Sequence, residues 1–367
     1  MSVTTSDSIE ESGSAHAELM QLTQLFLPFA IRGLATLGVA DALASGPVPV
    51  ETIAEAVNAD AGALYRTLHF TATRGVFTEL PGKRFALNPV AELMRSDVPG
   101  SMRPRLMIDD RTADALRVLT EVTHTLRTGQ SAYRKVMGIG PFEAIATGRR
   151  SGGRVIRRRN SSGPVDGLLS KVDFRNDRIV ADVGGGTGTM IGGILARYPD
   201  LQGMLFDLPS VVEHAAPELE SLAVKQRCQV VGGDMFREVP ADADTYVLSN
   251  VLHDWPDEQA KVVLANIRKA ISDNGRLLVL ESLVGDEPER VAQVAQQDFM
   301  LLLNTGGRER TASEHEALLQ DADFRVTAVT PLSSEWGTVI EARPGLGSLR
   351  SSPHDTRNSG NHTQRLR

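Results

Sequence analysis

From Asp177 to Arg343 short apolar runs alternate with amphipathic stretches long enough for three-turn helices, and no other feature of the 367 residues constrains the fold as tightly. Runs at Arg178–Val183, Gly203–Asp207, Gln229–Gly232, Thr245–Ser249 and Arg276–Leu283 read as strands. Helical crossovers between them make the strands parallel and the connections right-handed. Two further runs, Arg325–Leu332 and Thr338–Arg343, have no helix between them and are expected to pair antiparallel at an edge. The expected fold is α/β, a seven-stranded doubly wound sheet with its last strand antiparallel.

A different pattern precedes the sheet. Apolar residues recur at helical spacing over 19–44 and predict one long helix with a wide apolar face. A short helix at Val50–Val57, a turn at Asn58-Ala59-Asp60 and a second helix at Ala61–Thr73 make a helix-turn-helix. The runs Gly75–Leu80 and Arg84–Leu87 flank the turn Pro81-Gly82-Lys83 and form a hairpin, the wing of a winged helix. Acidic and basic residues nearly balance over 20–100, and Arg66 is the only Lys or Arg on the second helix. A duplex-reading surface needs a cationic face, so dimerisation or a lid role is expected here rather than nucleic-acid binding.

Residues 101–170 are expected to bridge the two halves, with helical pattern to 147 and then an arginine-rich loop. Arg149, Arg150, Arg154, Arg157, Arg158 and Arg159 fall there without amphipathic order. The expected domains are a disordered tail 1–18, a winged-helix domain 19–100, the bridge 101–170, a catalytic domain 171–343 and a disordered tail 344–367. The N-terminus lacks the basic start and apolar run of a secretory signal, and no stretch is apolar enough to span a membrane, so a cytoplasmic protein without membrane partners is expected. One cysteine, Cys228, rules out an intrachain disulfide, and the eight histidines show no zinc spacing, so no metal is expected.

The stretch Asp182-Val183-Gly184-Gly185-Gly186-Thr187-Gly188 lies between a strand and a helix. Glycines at 184, 186 and 188 allow a tight turn and close approach of a ligand. A dinucleotide fingerprint has Gly-x-Gly-x-x-Gly/Ala, whereas here the spacing is Gly-x-Gly-x-Gly with an acid two residues ahead, which favours a ligand without a pyrophosphate. Asp207 ends the second strand, where a carboxylate accepts the hydroxyls of a ribose. Gly233-Asp234-Met235-Phe236 follows the third and sets a carboxylate beside apolar side chains, as an adenine requires. Asp234 alone reads equally well as a helix cap.

These motifs together resemble the class I S-adenosylmethionine-dependent small-molecule O-methyltransferases with an N-terminal winged-helix dimerisation domain, over about residues 19–343. The resemblance implies a Rossmann-like catalytic domain that binds S-adenosylmethionine through Asp182, Gly184, Gly186, Asp207, Leu208, Asp234, Met235, Phe236 and Ser249. It implies that Leu252-His253-Asp254-Trp255-Pro256 is the catalytic segment, with His253 as general base bracketed by Glu281 and Glu309. Met300, Asn304, Asp254 and Trp255 are implied to contact an aromatic small-molecule acceptor, and the protein is implied to be a homodimer.

Methyl transfer from a sulfonium is an in-line displacement, so holding the hydroxyl opposite sulfur is mainly a matter of orientation. An imidazole of pKa about 6.5 facing a phenol of about 10 assists proton removal in the transition state, worth roughly 10² to 10⁴. In relatives the stretch at 148–163 is an amphipathic lid helix, for which this chain offers no obvious counterpart. Two competing readings remain: a cofactor-binding relative that assists hydroxylation or decarboxylation, and a winged-helix regulator with a ligand-sensing domain.

Overall fold

The structure is a computed structural model that describes residues 5–147, 163–285, 288–332 and 337–345. The arginine-rich loop, and the tail expected beyond 345, lie outside the described residues. The chain forms two compact units, Met1–Leu116 and Arg117–Arg367. The boundary falls inside the expected bridge, so residues 101–116 go with the first unit and the rest with the second.

The first unit contains α1 (Thr5–Leu22), α2 (Phe26–Leu37), α3 (Val39–Ala42), β1 (Val48–Pro49), α4 (Val50–Ala56), α5 (Ala61–Ala72), β2 (Thr78–Leu80), β3 (Arg84–Ala86), α6 (Pro89–Glu92), α7 (Arg103–Leu106) and most of α8 (Asp110–Thr120). Two expectations are corrected here. The tail expected over 1–18 is helical from Thr5, and the single helix expected over 19–44 is three helices. Pro28 cannot lie deep inside a helix, because its ring would meet the carbonyl four residues back, and it sits instead in the first turn of α2. Gly38 ends α2 in the left-handed conformation, φ 77°, and its N–H returns to Ala35 O. The helix-turn-helix and wing form as expected, with Asp60 capping α5 through Ala63 N at 2.8 Å. The wing gains a third strand, because β1 pairs with β3 at Val48 and Phe85. Leu34, Val39, Leu43, Ile53, Leu68, Phe77 and Phe85 make this unit's core.

The second unit continues with α9 (Val122–Thr128), α10 (Ala132–Met137), α11 (Pro141–Ala146), α12 (Gly163–Leu169), β4 (Ile179–Val183), α13 (Thr189–Arg197), β5 (Gln202–Asp207), α14 (Pro209–Val212), α15 (Ala216–Ser221), β6 (Cys228–Gly232), β7 (Thr245–Ser249), α16 (Asp257–Ala270), β8 (Arg276–Glu281), α17 (Pro288–Asn304), α18 (Ala312–Asp321), β9 (Phe324–Pro331) and β10 (Thr338–Pro344). The sheet order is β6-β5-β4-β7-β8-β10-β9, and β10 runs antiparallel to both β8 and β9. The central strands β4, β7 and β8 are buried on both faces, which is why they read as continuous apolar runs. Two apolar clusters cover the two faces of the sheet. Register aligns the carboxyl ends: Val183 pairs with Phe206, Asp207 with Gly232, and Ser249 with Leu280. In an open parallel sheet this edge is where ligands bind.

Candidate active site

The glycine loop leaves β4 through amide hydrogen bonds to the backbone and to a carboxylate. Gly184 N donates to Phe206 O at 2.7 Å, and Gly186 N to Asp207 Oδ2 at 2.8 Å. Gly184 and Gly186 have φ of 71° and 64°, and a Cβ at Gly184 would come 2.8 Å from Val251 Cγ2. Asp207 Oδ1 accepts from Leu208 N at 2.7 Å, so one carboxylate fixes both the glycine loop and the start of the next connection.

Asp182 lies beneath the loop, fully buried, with Oδ2 accepting from Ile191 N at 3.2 Å. It supports the loop from below. Burial, aided by the charge of Asp207, pushes its carboxyl up to about 7 against the Ile191 bond that lowers it. Its Oδ1 and the buried Thr187 Oγ1 have no hydrogen-bond partner among the described residues. Unsatisfied buried oxygens at a helix-opening glycine loop suit a polar ligand such as the amino-acid portion of a sulfonium cofactor.

Asp234 Oδ1 accepts from Phe236 N at 2.9 Å and shapes a turn; no helix starts here, so the alternative reading of Asp234 as a helix cap does not hold. Met235 is tethered through its carbonyl to Asn266 Nδ2 at 2.9 Å. Phe236 meets Trp255 edge to face at 4.6 Å, and Phe142 of α11 tilts onto Trp255 at 5.0 Å. Phe142 carried no sequence signal, since a single phenylalanine on a short helix looks like ordinary core. Ser249 is half-buried at the end of β7.

His253 sits on a 3₁₀ turn, Leu252–Asp254, that directly follows β7. The ring is 4 % exposed, and its Nδ1 lies 3.1 Å from Glu309 Oε1 and 3.2 Å from Glu281 Oε2. Glu281 also accepts, through Oε1, from Val251 N, Leu252 N and His253 N at 3.1, 2.9 and 3.3 Å. Nε2 is 3.9 Å from Asp254 Oδ1. Burial drives the imidazole pKa down, but Glu281, Glu309 and Asp254 together outweigh it and raise the value to about 9. Burial in turn raises the Glu281 carboxyl. The three ligand atoms of His253, Glu281 and Glu309 lie within 4.8 Å, a spacing that could also hold a metal ion. A site that raises the imidazole to about 9 binds a proton tightly, and a proton on Nδ1 meets the same two carboxylates.

The predicted acceptor residues separate in the structure. Asp254 is buried beside His253, whereas Met300 is exposed on α17 and Asn304 Nδ2 donates to Met300 O at 2.7 Å. A cavity of about 340 Å³ is lined by Phe142, Trp255 and Asn304 with Ser131, Arg134 and Gln259. His253 does not line it, although Trp255 and Pro256, which follow it in the same segment, do. No helix among the described residues is long and apolar enough to cross a membrane.

Comparison with known proteins shows the family. An O-methyltransferase domain model matches residues 118–325, and an O-methyltransferase dimerisation domain model matches 20–97. Phenazine O-methyltransferase of Lysobacter antibioticus is 35 % identical over 89 % of this chain and 95 % of its own. The 2,7-dihydroxy-5-methyl-1-naphthoate 7-O-methyltransferase of Streptomyces carzinostaticus is 32 % identical over 87 % of this chain and 96 % of its own. Among solved structures, an O-methyltransferase of neocarzinostatin biosynthesis, in complex with S-adenosylhomocysteine and 1,4-dihydroxy-2-naphthoic acid, superimposes with TM-score 0.78 at 31 % identity, covering 89 % of this chain and 98 % of its own.

Proposed function

The chain belongs to the S-adenosylmethionine-dependent O-methyltransferase family, in its form with a dimerisation domain, and from that premise we propose that His253 deprotonates a hydroxyl on an aromatic secondary metabolite as that hydroxyl is methylated. S-adenosylmethionine supplies an electrophilic methyl group on a sulfonium. Gly184, Gly186, Asp207 and Leu208 are read as its cradle, with Asp234, Met235, Phe236 and Ser249 beside them and Asp182 holding the loop from below. The observation that carries the assignment of the base is the pair of glutamates on one ring nitrogen. With Nδ1–H donated to Glu309 Oε1 and Glu281 Oε2 standing 3.2 Å from the same nitrogen, Nε2 is left to receive the acceptor's proton, and the two carboxylates stabilise the imidazolium that results.

The acceptor is read as an aromatic phenol, because relatives at about one-third identity act on phenazine and naphthoate rings and because Phe142 and Trp255 offer flat apolar faces in a cavity next to the His253 segment. Met300 and Asn304 are retained as acceptor contacts from α17. Five large apolar side chains cluster on α1 and the start of α2: Leu19, Met20, Leu22, Leu25 and Phe26 are 62–78 % exposed. A patch of this kind in a dimerisation domain supports a homodimer. The reaction is read as cytoplasmic.

The test is His253→Gln. Turnover should fall by roughly 10² to 10⁴ while S-adenosylhomocysteine affinity, measured by calorimetry, stays within a few-fold. Unchanged turnover would remove His253 from the mechanism.

A further inference from the structure

Arg310 heads the fully buried side chains by size, and the reaction as proposed leaves it without a task. Its Nη1 donates to Leu252 O at 2.9 Å and its Nη2 to Trp255 O at 2.7 Å. Nε and Nη2 both reach Asp257 Oδ1, at 3.0 and 2.7 Å. The two carbonyls flank His253, one residue before it and two after. Burying a guanidinium is expensive, and apolar side chains of the same volume commonly serve stability equally well. What an apolar residue cannot do is fix two backbone carbonyls through a rigid planar fork.

The turn that bears His253 has need of such a fixture. Asn250 precedes it with φ 53°, and the turn closes through Asp254 N to Val251 O and Trp255 N to Leu252 O, both 3.2 Å. Glu281 collects the amides at one end of this turn, and Arg310 collects carbonyls at the other. Between them Arg308 N donates to His253 O at 2.9 Å, an approach open only because residue 307 is glycine, where a Cβ would overlap that oxygen. Three consecutive residues thus address one histidine. Arg308 holds its carbonyl, Glu309 its ring and Arg310 the carbonyls on either side. Their segment is itself anchored, since Val284 N donates to Arg310 O at 3.0 Å and Glu309 N donates to Asp298 Oδ1 at 2.7 Å.

We propose that Arg310 is a positioning residue for His253: its guanidinium, oriented by Asp257, sets the backbone of the 252–255 turn so that Nδ1 falls between Glu281 and Glu309. The proposal rests on the reading of His253 as the base. A displacement of the turn by a fraction of an ångström would lengthen both Nδ1 contacts at once, which is why orientation rather than charge is at stake.

The experiment follows the imidazole N–H of His253 by NMR in the full chain, labelled with ¹⁵N-histidine and saturated with S-adenosylhomocysteine, the signal being assigned by its loss in H253Q. The wild type should show a downfield, exchange-protected N–H. In Arg310→Lys, where one ammonium replaces the fork, that signal should move upfield or exchange at least tenfold faster, with S-adenosylhomocysteine affinity within threefold of wild type. Asp257→Ala, at a half-exposed position, should give a smaller change in the same direction. A wild-type spectrum without a protected His253 N–H overturns the proposal, and so does an unaltered signal in R310K. Should R310K not fold, an unaltered signal in D257A overturns it equally. The base reading fails separately, through undiminished turnover in H253Q, whatever the ring signal shows.

Discussion

Replacing Glu309 by Gln removes one of the two carboxylates on Nδ1 and tests how the site is tuned. With a pKa of about 9, His253 is neutral in roughly one molecule in a hundred at pH 7, a population penalty of about 2.7 kcal/mol. The return is a stronger base. Proton transfer from a phenol of pKa about 10 is uphill by roughly 1.4 kcal/mol, against about 4.8 kcal/mol for an unperturbed imidazole. At pH 7 the two effects nearly cancel, and only above pH 9 is the stronger base a clear advantage. Wild-type kcat/KM should therefore climb close to tenfold per pH unit between 6 and 8 and bend near 9. In E309Q, Glu281 and Asp254 still face the ring while the buried cation His253 shares its surroundings with His315, so the bend should move acid by one to two units without reaching 6.5. The rate at pH 9 should fall roughly three- to thirty-fold, and the rate at pH 7 much less. Initial rates of S-adenosylhomocysteine formation across a panel of phenols and hydroxynaphthoates would measure this, with ¹⁵N-histidine NMR following the ring directly. A wild-type profile already flat between pH 6 and 8, or an E309Q profile that superimposes on it, would refute the reasoning.

Gly184→Ala forces a Cβ into the left-handed region and to 2.8 Å from Val251 Cγ2; it should destabilise the fold by about 1–3 kcal/mol and weaken S-adenosylhomocysteine binding at least tenfold, and wild-type affinity by calorimetry would contradict the cradle. His315 is buried without a hydrogen-bond partner on either ring nitrogen among the described residues, and burial, with the Arg310 and His253 cations behind it, lowers its pKa to about 4. Because the unfolded chain takes up that proton near 6.5, stability should fall by about 3 kcal/mol as pH drops from 6.5 through 4, and His315→Leu should flatten that limb in urea unfolding; an unchanged limb counts against it. Phe26→Asp places a charge in the exposed apolar cluster and should give a monomer by light scattering at micromolar concentration, whereas a persistent dimer would locate the interface elsewhere.

Each strand of the second unit was legible to within one or two residues, and the central β4, β7 and β8 most plainly, because strands buried on both faces leave uninterrupted apolar runs that no amphipathic helix produces. Helices were less legible where apolar periodicity hid the stops: Pro28 and Gly38 are plain in the text, yet the leucines between them run on as if uninterrupted. The helix over Thr5–Leu22 was missed for the opposite reason, since Glu10, Glu11, Ala15, Ala17 and Glu18 favour a helix by propensity without an apolar stripe to announce it. The third wing strand is two residues whose strand character comes from Phe85 across the ladder, a tertiary cause. In the site, the glycine loop and strand-end acids follow from local chemistry. Glu309 is 56 residues from His253, and the encounter of their side chains is set by topology that only a family resemblance could supply in advance. Arg310, next in sequence, gave no sign of burial, because an arginine beside a glutamate looks like surface.

Glu281 joins folding to reaction in a single carboxylate. Oε1 accepts three amides and thereby shapes the turn, while Oε2 faces the ring that the turn carries, so the group cannot be optimised for one task without the other. The raised pKa of His253 has the same double consequence, with opposite signs. A folded-state pKa of about 9 against 6.5 unfolded means that the imidazolium contributes about 3 kcal/mol of stability, fully present below pH 6.5 and lost as pH rises through 9. With His253 as the proposed base, turnover would require the neutral ring and should increase over that same interval. The protonation state that the proposed base would use is thus the less stable one, and the Arg308–Arg310 segment holds the turn by contacts to backbone that do not depend on the charge of the ring. An enzyme arranged this way keeps its geometry as the electrostatic grip on His253 relaxes, which is the condition under which a base has to act.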